Sequence, residues 1–243
     1  MPSPPPHPPN EIYQFSLLSA LMSGVASSGI PASSLSSYTQ GLGTFASIDG
    51  ELILLDGVVY QLKSDGSVHV ASPEDEIPFV MATNLRPTDV FRMEVERKDA
   101  VHGRLGEVFG GCGNLFVAYR VHAVDGKGFG RVKVRTVGGQ RYKGQPLGEL
   151  GDGQKVFEYE DVDGVVVGFR SPMNWQGISL AGEHMHFLSA DRKFGGHVLE
   201  LEAEEVEVRA AVVSSLHIDL PRSREFNEAD LRVDDGGIRK VEG

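Results

Sequence analysis

The stretch G182-E-H-M-H-F-L-S-A-D-R-K-F-G-G-H-V198 decides how this chain is read, because it places His184, His186 and His197 within fourteen residues of a protein that has eight histidines. His184 and His186 are an i, i+2 pair. On a strand such residues point to one face, about 7 Å apart. Leu188 continues that face, the Gly-containing S189-A-D-R-K-F-G-G196 reverses the chain, and His197 opens the next strand. Leu199 and Leu201 are expected on the face of His197, with Glu200 and Glu202 turned away. Three buried imidazoles without partners would be costly, and a shared divalent cation removes that cost. A three-histidine set leaves coordination positions open, as catalytic rather than structural zinc sites do. The single cysteine, Cys112, cannot supply a thiolate set. Zinc is therefore expected, with manganese, iron or nickel left open by ligand type.

Outward from this stretch the chain has 243 residues, 40% of them hydrophobic and 23% charged, with 30 Gly and 13 Pro, a composition that favours a strand-rich globular fold. The net charge of −11 and the lack of a basic patch argue against nucleic acid and anionic membranes as partners. One cysteine permits no internal disulfide, no apolar run reaches transmembrane length, and the start M1-P-S-P-P-P-H-P-P-N-E11, without a basic n-region or an apolar h-region, is not expected to act as a signal peptide. A cytoplasmic location is expected, with residues 1–10 a disordered, Pro-rich tail.

N10-E-I-Y-Q-F-S-L-L-S-A-L-M-S-G-V25 has apolar residues at Ile12, Phe15, Leu18, Leu21 and Met22, which predicts a helix capped by Asn10. Ser- and Gly-rich residues 27–43 read as a connection. Residues 44–72 hold three Asp-Gly pairs between short apolar runs, a hairpin signal, and residues 77–85 add a strand. Thr88–Phe109 reads as mixed with one helix, and residues 114–137 as a hairpin turning at Asp125-Gly126. A second β region begins near residue 151, and residues 223–231 form a late helix capped by Ser223. The expected fold is a β-rich α+β protein. It has an N-terminal region (11–150) built on a mixed sheet with a helix, then a smaller antiparallel region (151–243) that carries the metal.

The stretch H184-M-H-F-L-S-A-D-R-K-F-G-G-H-V198 resembles the H-x-H-F-(L/I)-(S/T)-x-D-R-x-x-G-G-H-V signature of the α-acetolactate decarboxylases. The similarity extends to Y13-Q-F-S-L-L-S-A-L-M-S-G-V25, residues 42–68, N114-L-F-V-A-Y-R-V121, V132-K-V-R-T-V137, residues 156–169, E225-F-N-E-A-D-L231 and I238-R-K-V-E242. The Pro-rich start, residues 86–109 and G110-G-C-G-N-L-F116 depart from the family pattern. The resemblance implies conversion of (S)-2-acetolactate to (R)-acetoin and carbon dioxide with a bound zinc, usually in a homodimer. Carried over residue by residue, it makes His184, His186 and His197 the metal ligands and Glu51 a carboxylate beside the metal. It makes Arg135 the substrate-binding arginine, Thr44 a pocket-lining residue, and Glu242 a carboxylate that the C-terminal tail returns to the site.

The chemistry is consistent. A 2-hydroxy-3-keto acid can chelate one dication through hydroxyl and ketone, and the dication stabilises the enediolate left when the carboxylate departs. Arg135 would orient that carboxylate, and Glu51 or Glu242 would supply the proton. Two rivals stand beside this reading. A cupin-like oxygenase or isomerase also opens its metal site with H-x-H, but this chain offers no Glu within a few residues after the pair. A non-enzymatic metal-binding β protein gives no reason for Arg135 and Glu51 to converge on the histidines.

Overall fold

The computed structural model describes residues 8–124 and 126–232. Its strands are β1 (Glu11–Phe15), β2 (Ile30–Pro31), β3 (Gln40–Thr44), β4 (Glu51–Leu55), β5 (Val58–Leu62), β6 (Val68–Val70), β7 (Glu76–Ile77), β8 (Phe79–Thr83) and β9 (Asp89–Val95). They continue with β10 (Phe116–Ala123), β11 (Phe129–Thr136), β12 (Lys155–Val162), β13 (Gly164–Ser171), β14 (Gly182–Ser189), β15 (Gly195–Val213) and β16 (Ser215–Asp219). The α-helices are α1 (Leu18–Met22), α2 (Lys98–Val108) and α3 (Arg224–Glu228). No described helix is long and apolar enough to cross a membrane.

Two sheets pack face to face. The first runs β16-β1-β8-β3-β4-β5-β6 and is mixed, because β1 pairs with β16 in parallel and with β8 antiparallel. The second runs β10-β13-β14-β15-β11-β12, with β9 added on β15, and is antiparallel throughout. Ile53 and Leu55 of β4 and Leu42 of β3 meet Val165, Val167, Phe169 and Leu188 in the core between the sheets. The outer face of the antiparallel sheet carries a second core, closed by Val101 and Leu105 of α2. Burying these two cores supplies the main drive to fold.

The expected β-rich α+β class is the observed one, and the turn chemistry fell where the Asp-Gly pairs put it. Asp56 (φ 50°) and Gly57 (φ 81°) both take left-handed backbone between β4 and β5, as a two-residue hairpin requires. Ser223 caps α3 through the main-chain N–H of Phe226.

Several details differ. Residues 11–15 are strand, and the first helix is confined to Leu18–Met22, because β1 is claimed on both sides by β8 and β16. Asn10 caps nothing; its side chain bonds the main chain of Arg86 in both directions, which also holds this end of the supposed tail in place. Within the Ser- and Gly-rich connection lies β3, a central strand. Gly43 looked unlike a strand residue, yet a Cβ there would sit 2.1 Å from the carbonyl oxygen of Phe79 on β8, so only glycine fits. In the mixed segment 88–109 the helix is present as α2, but β9 was not anticipated.

β10 and β11 do not pair with each other. The nineteen-residue β15 pairs with both, through residues 197–202 for β11 and 206–213 for β10. Asp125, at the expected turn, lies outside the described residues. The exchange between sheets does not fall at residue 150 either, since β9, β10 and β11 belong to the antiparallel sheet and β16 returns to the mixed one. With seven strands, the antiparallel sheet is no smaller than its partner.

Candidate metal centre

The three histidines converge. β14 presents His184 and His186 on the face turned toward the mixed sheet, and β15 places His197 directly opposite His186 in register. Each histidine brings one ring nitrogen to within 4.8 Å of the others, and all three side chains are buried. The ring centroids stand 5.0, 5.2 and 5.5 Å apart. Gly195 and Gly196 make that approach possible. A Cβ on Gly195 would lie 2.3 Å from the carbonyl oxygen of Phe187, and one on Gly196 2.6 Å from that of Arg135.

The expected continuation of the His197 face is reversed beyond Val198. The register of β15 against β11 shifts between Val198 and Glu200, a bulge that leaves Leu199 unmatched. Leu201 therefore joins Val198 in the outer core, while Glu200 and Glu202 take the other face and pair with Lys133 and Arg131.

His186 shows its protonation state by its partner. Its Nδ1 lies 2.7 Å from the carbonyl oxygen of Leu52, and a carbonyl only accepts, so Nδ1 carries the hydrogen. Nε2 then keeps its lone pair. It is buried without a hydrogen-bond partner and lies 3.7 Å from Glu51 Oε2. His184 Nδ1 is likewise buried with no hydrogen-bond partner. Burial first, then the charge of Arg135, holds His197 well below the ordinary histidine range, and burial and His186 do the same to His184. His186 is pushed down to about 4 by burial, against the opposing pull of the Leu52 carbonyl. Neutral imidazoles that gather one ring nitrogen each within 4.8 Å are the donor set a divalent transition metal takes, so the residues fit a cation.

Thr44, Glu51, Arg135, His184 and His197 line one cavity of about 30 Å³, walled by Leu18, Leu21 and Phe79. Arg135 reaches it from β11, paired in register with His197. The Thr44 hydroxyl donates to the carbonyl of Gly50 at 2.7 Å, tying the end of β3 to the turn before Glu51. Glu242 lies outside the described residues. What sequence reasoning missed is the support. The Leu52 carbonyl orients His186, and on the opposite face Glu183 takes hydrogen bonds from Tyr119 Oη and His102 Nδ1. Main-chain groups carry no residue-type signal, so the first was invisible; the second required knowing that β14 and α2 are neighbours.

The sequence profile described as alpha-acetolactate decarboxylase matches residues 12–233. The chain belongs to the alpha-acetolactate decarboxylase family. It is 38% identical over 241 residues to the alpha-acetolactate decarboxylase of Klebsiella aerogenes, covering 97% of this chain and 90% of that protein. The namesake from Methanosarcina mazei is 37% identical over 226 residues, covering 90% and 75%. The crystal structure of the alpha-acetolactate decarboxylase from Bacillus subtilis strain 168 superposes with a TM-score of 0.89 at 31% identity, covering 96% of this chain and 99% of that one. Membership at this coverage makes the chain a carboxy-lyase family enzyme and removes the support for a cupin-like or non-enzymatic reading.

Proposed function

We propose that the protein decarboxylates (S)-2-acetolactate to (R)-acetoin and carbon dioxide at the His184–His186–His197 cluster. The observation that carries this reading is the arrival of His184, His197, Arg135 and Glu51 at one cavity from four strands of two sheets, with His186 completing the imidazole cluster 3.7 Å from Glu51. A 2-hydroxy-3-keto acid needs all three kinds of group: a cation site, a carboxylate binder and a proton source.

His184, His186 and His197 would hold a divalent cation, with zinc the first choice for an all-imidazole protein donor set. Such an ion supplies Lewis-acid polarisation of the ketone oxygen. Arg135 binds the carboxylate that leaves, through paired charge-assisted hydrogen bonds, and sets its C–C bond out of the plane of the ketone. The apolar walls Leu18, Leu21 and Phe79 exclude water and strengthen these charge interactions. Glu51, or Glu242 from the tail, delivers the proton to the carbon that the carboxylate vacates, from one face, which fixes the product's hand. Thr44 shapes the pocket wall. The chain acts as a cytoplasmic homodimer in this reading, and gel filtration checks the dimer.

The test is metal analysis of the purified protein, with acetoin measured from racemic acetolactate before and after chelation. About one metal per chain, and activity that falls with chelation and returns with zinc, is expected. Full activity after complete metal removal would refute the reading.

A further inference from the structure

The signature stretch contains a residue that the histidine cluster does not use. Arg192 sits in the turn between β14 and β15 with φ 61°, a left-handed conformation uncommon for a side chain of this size. It donates from Nη1 to the carbonyl of Ser189 at 3.1 Å, and its guanidinium lies 5.7 Å from the ring centroid of Tyr60. Among the described residues no carboxylate pairs with it. Its position becomes meaningful through what surrounds it.

Arg192 lines a cavity of about 480 Å³ together with Arg92, Arg120 and Arg209. Four guanidinium groups at one cavity are unexpected in a chain of net charge −11. Strand register brings three of them together. Arg120 of β10 stands directly opposite Arg209 of β15, and Glu207, two residues before Arg209, stands opposite Arg92 of β9. Like charges directly opposite in a sheet are destabilising unless an anion lies between them. The carboxylates that line the cavity only partly answer this. Asp56 lies 2.9 Å from Arg120 and Glu207 2.7 Å from Arg209, while Asp163 accepts from the main-chain N–H of Gly164. Arg92 is answered by Glu205 at 3.6 Å, just outside the lining, so Arg192 is the guanidinium of the four for which no carboxylate partner is found among the described residues. Arg92 and Arg209 are more than half exposed, so their surface ion pairs are weak and free to exchange partners.

We propose that this cavity is a second ligand site, for a small oxyanion such as a phosphate or a carboxylate, held by Arg192 and Arg209, with Arg120 behind them fixed in place by Gln40, the Thr39 carbonyl and Asp56. Its volume lies within the ordinary range for small-molecule sites, roughly 300–1,000 Å³. The planar guanidinium fork matches two oxygens of a phosphate or a carboxylate. The site is separate from the histidines. β4 runs from Glu51, beside the cluster, to Leu55 and Asp56 at this cavity, about 17 Å along an extended strand. A ligand here would also grip the turn of the hairpin that carries all three imidazoles, since Arg192 joins β14 to β15.

Isothermal titration calorimetry of the full-length protein at low ionic strength, with inorganic phosphate and separately with malonate, tests the proposal. One saturable site per chain is expected, weakened at least tenfold by Arg209→Gln and by Arg192→Gln, weakened by added salt, and retained in Arg135→Gln. The side chain of Arg209 is 52% exposed, so that variant folds even where Arg192→Gln does not. Tighter phosphate binding identifies a phosphorylated ligand, and tighter malonate binding a carboxylate. No saturable heat with either probe overturns the proposal. So does binding that survives Arg209→Gln but disappears in Arg135→Gln, which would place the anion at the histidine cluster. Neither result bears on decarboxylation, which is measured separately.

Discussion

His186 donates its Nδ1–H to the main-chain carbonyl of Leu52 at 2.7 Å, so a residue of the mixed sheet orients a ring that belongs to the antiparallel one. The bond fixes the tautomer and leaves Nε2 facing Glu51 and the other two imidazoles. A ring held from behind in this way binds a cation without reorganising. His186→Ala is expected to lose bound metal and activity together, with metal content falling well below one per chain by atomic absorption. Full metal content in that variant would remove His186 from the ligand set.

Arg135→Ala should separate binding of metal from turnover. The side chain is buried beside the histidines, so its loss removes the carboxylate partner and also relieves the imidazoles of a nearby positive charge. Metal content is expected to stay near one per chain, while kcat/KM falls on the order of 100-fold, about 2.7 kcal/mol. Arg135→Lys should recover only part, because an ammonium cannot make the paired contact. Unchanged kinetics in Arg135→Ala would take it out of the site.

Glu51→Gln keeps the shape of the side chain but cannot hold the exchangeable carboxyl proton. If Glu51 is the donor, decarboxylation followed as carbon dioxide release slows by roughly 10²- to 10⁴-fold. The stereochemical purity of acetoin is the sharper measurement, since a proton taken from water arrives from either face. An unaltered rate and an unaltered enantiomer ratio would assign the role to Glu242.

The Glu183 carboxylate raises the pKa of His102 by hydrogen bond and charge, tying α2 to β14 at 2.9 Å. A raised histidine pKa contributes stability that is fully present below the unfolded value of about 6.5 and is lost as pH rises through the folded value. His102→Gln should therefore lower Tm near pH 5.5 and leave it unchanged near pH 9. Equal Tm losses at both ends would mean that the contact is not titrating.

Gly196→Ala tests the close approach of β15 to β11. The added methyl would meet the carbonyl oxygen of Arg135 at 2.6 Å, and backbone cannot yield cheaply, so a loss of about 1–3 kcal/mol is expected in urea unfolding. Wild-type stability would show that the strands have room to part.

The histidine cluster was legible in the sequence because its grammar is local. Two histidines at i, i+2, a short turn and a third histidine define a strand face and a hairpin, and the structure adds the register that sets His186 opposite His197. The Asp-Gly pairs fixed the hairpin at Asp56-Gly57 in the same way, since left-handed backbone at two successive positions selects those residues. Where a pattern was shared by two structures, local reading failed. Ile12 and Phe15 fit a helical stripe as well as a strand, and only the neighbours β8 and β16 settled it. The bulge at Leu199 inverted a face that simple alternation assigned with no warning in residue type.

From its own residues, then, the chain specifies a β-rich molecule with a three-imidazole hairpin, because strand alternation and turn chemistry act over a few residues. What tertiary structure alone decided is the company those imidazoles keep. Glu51, the Leu52 carbonyl and Arg135 lie between 49 and 146 positions away along the chain, and four arginines from three strands and a turn surround a second cavity. Such meetings depend on which strands become neighbours, and that is chosen by burial of two whole sheet faces at once rather than by any short stretch.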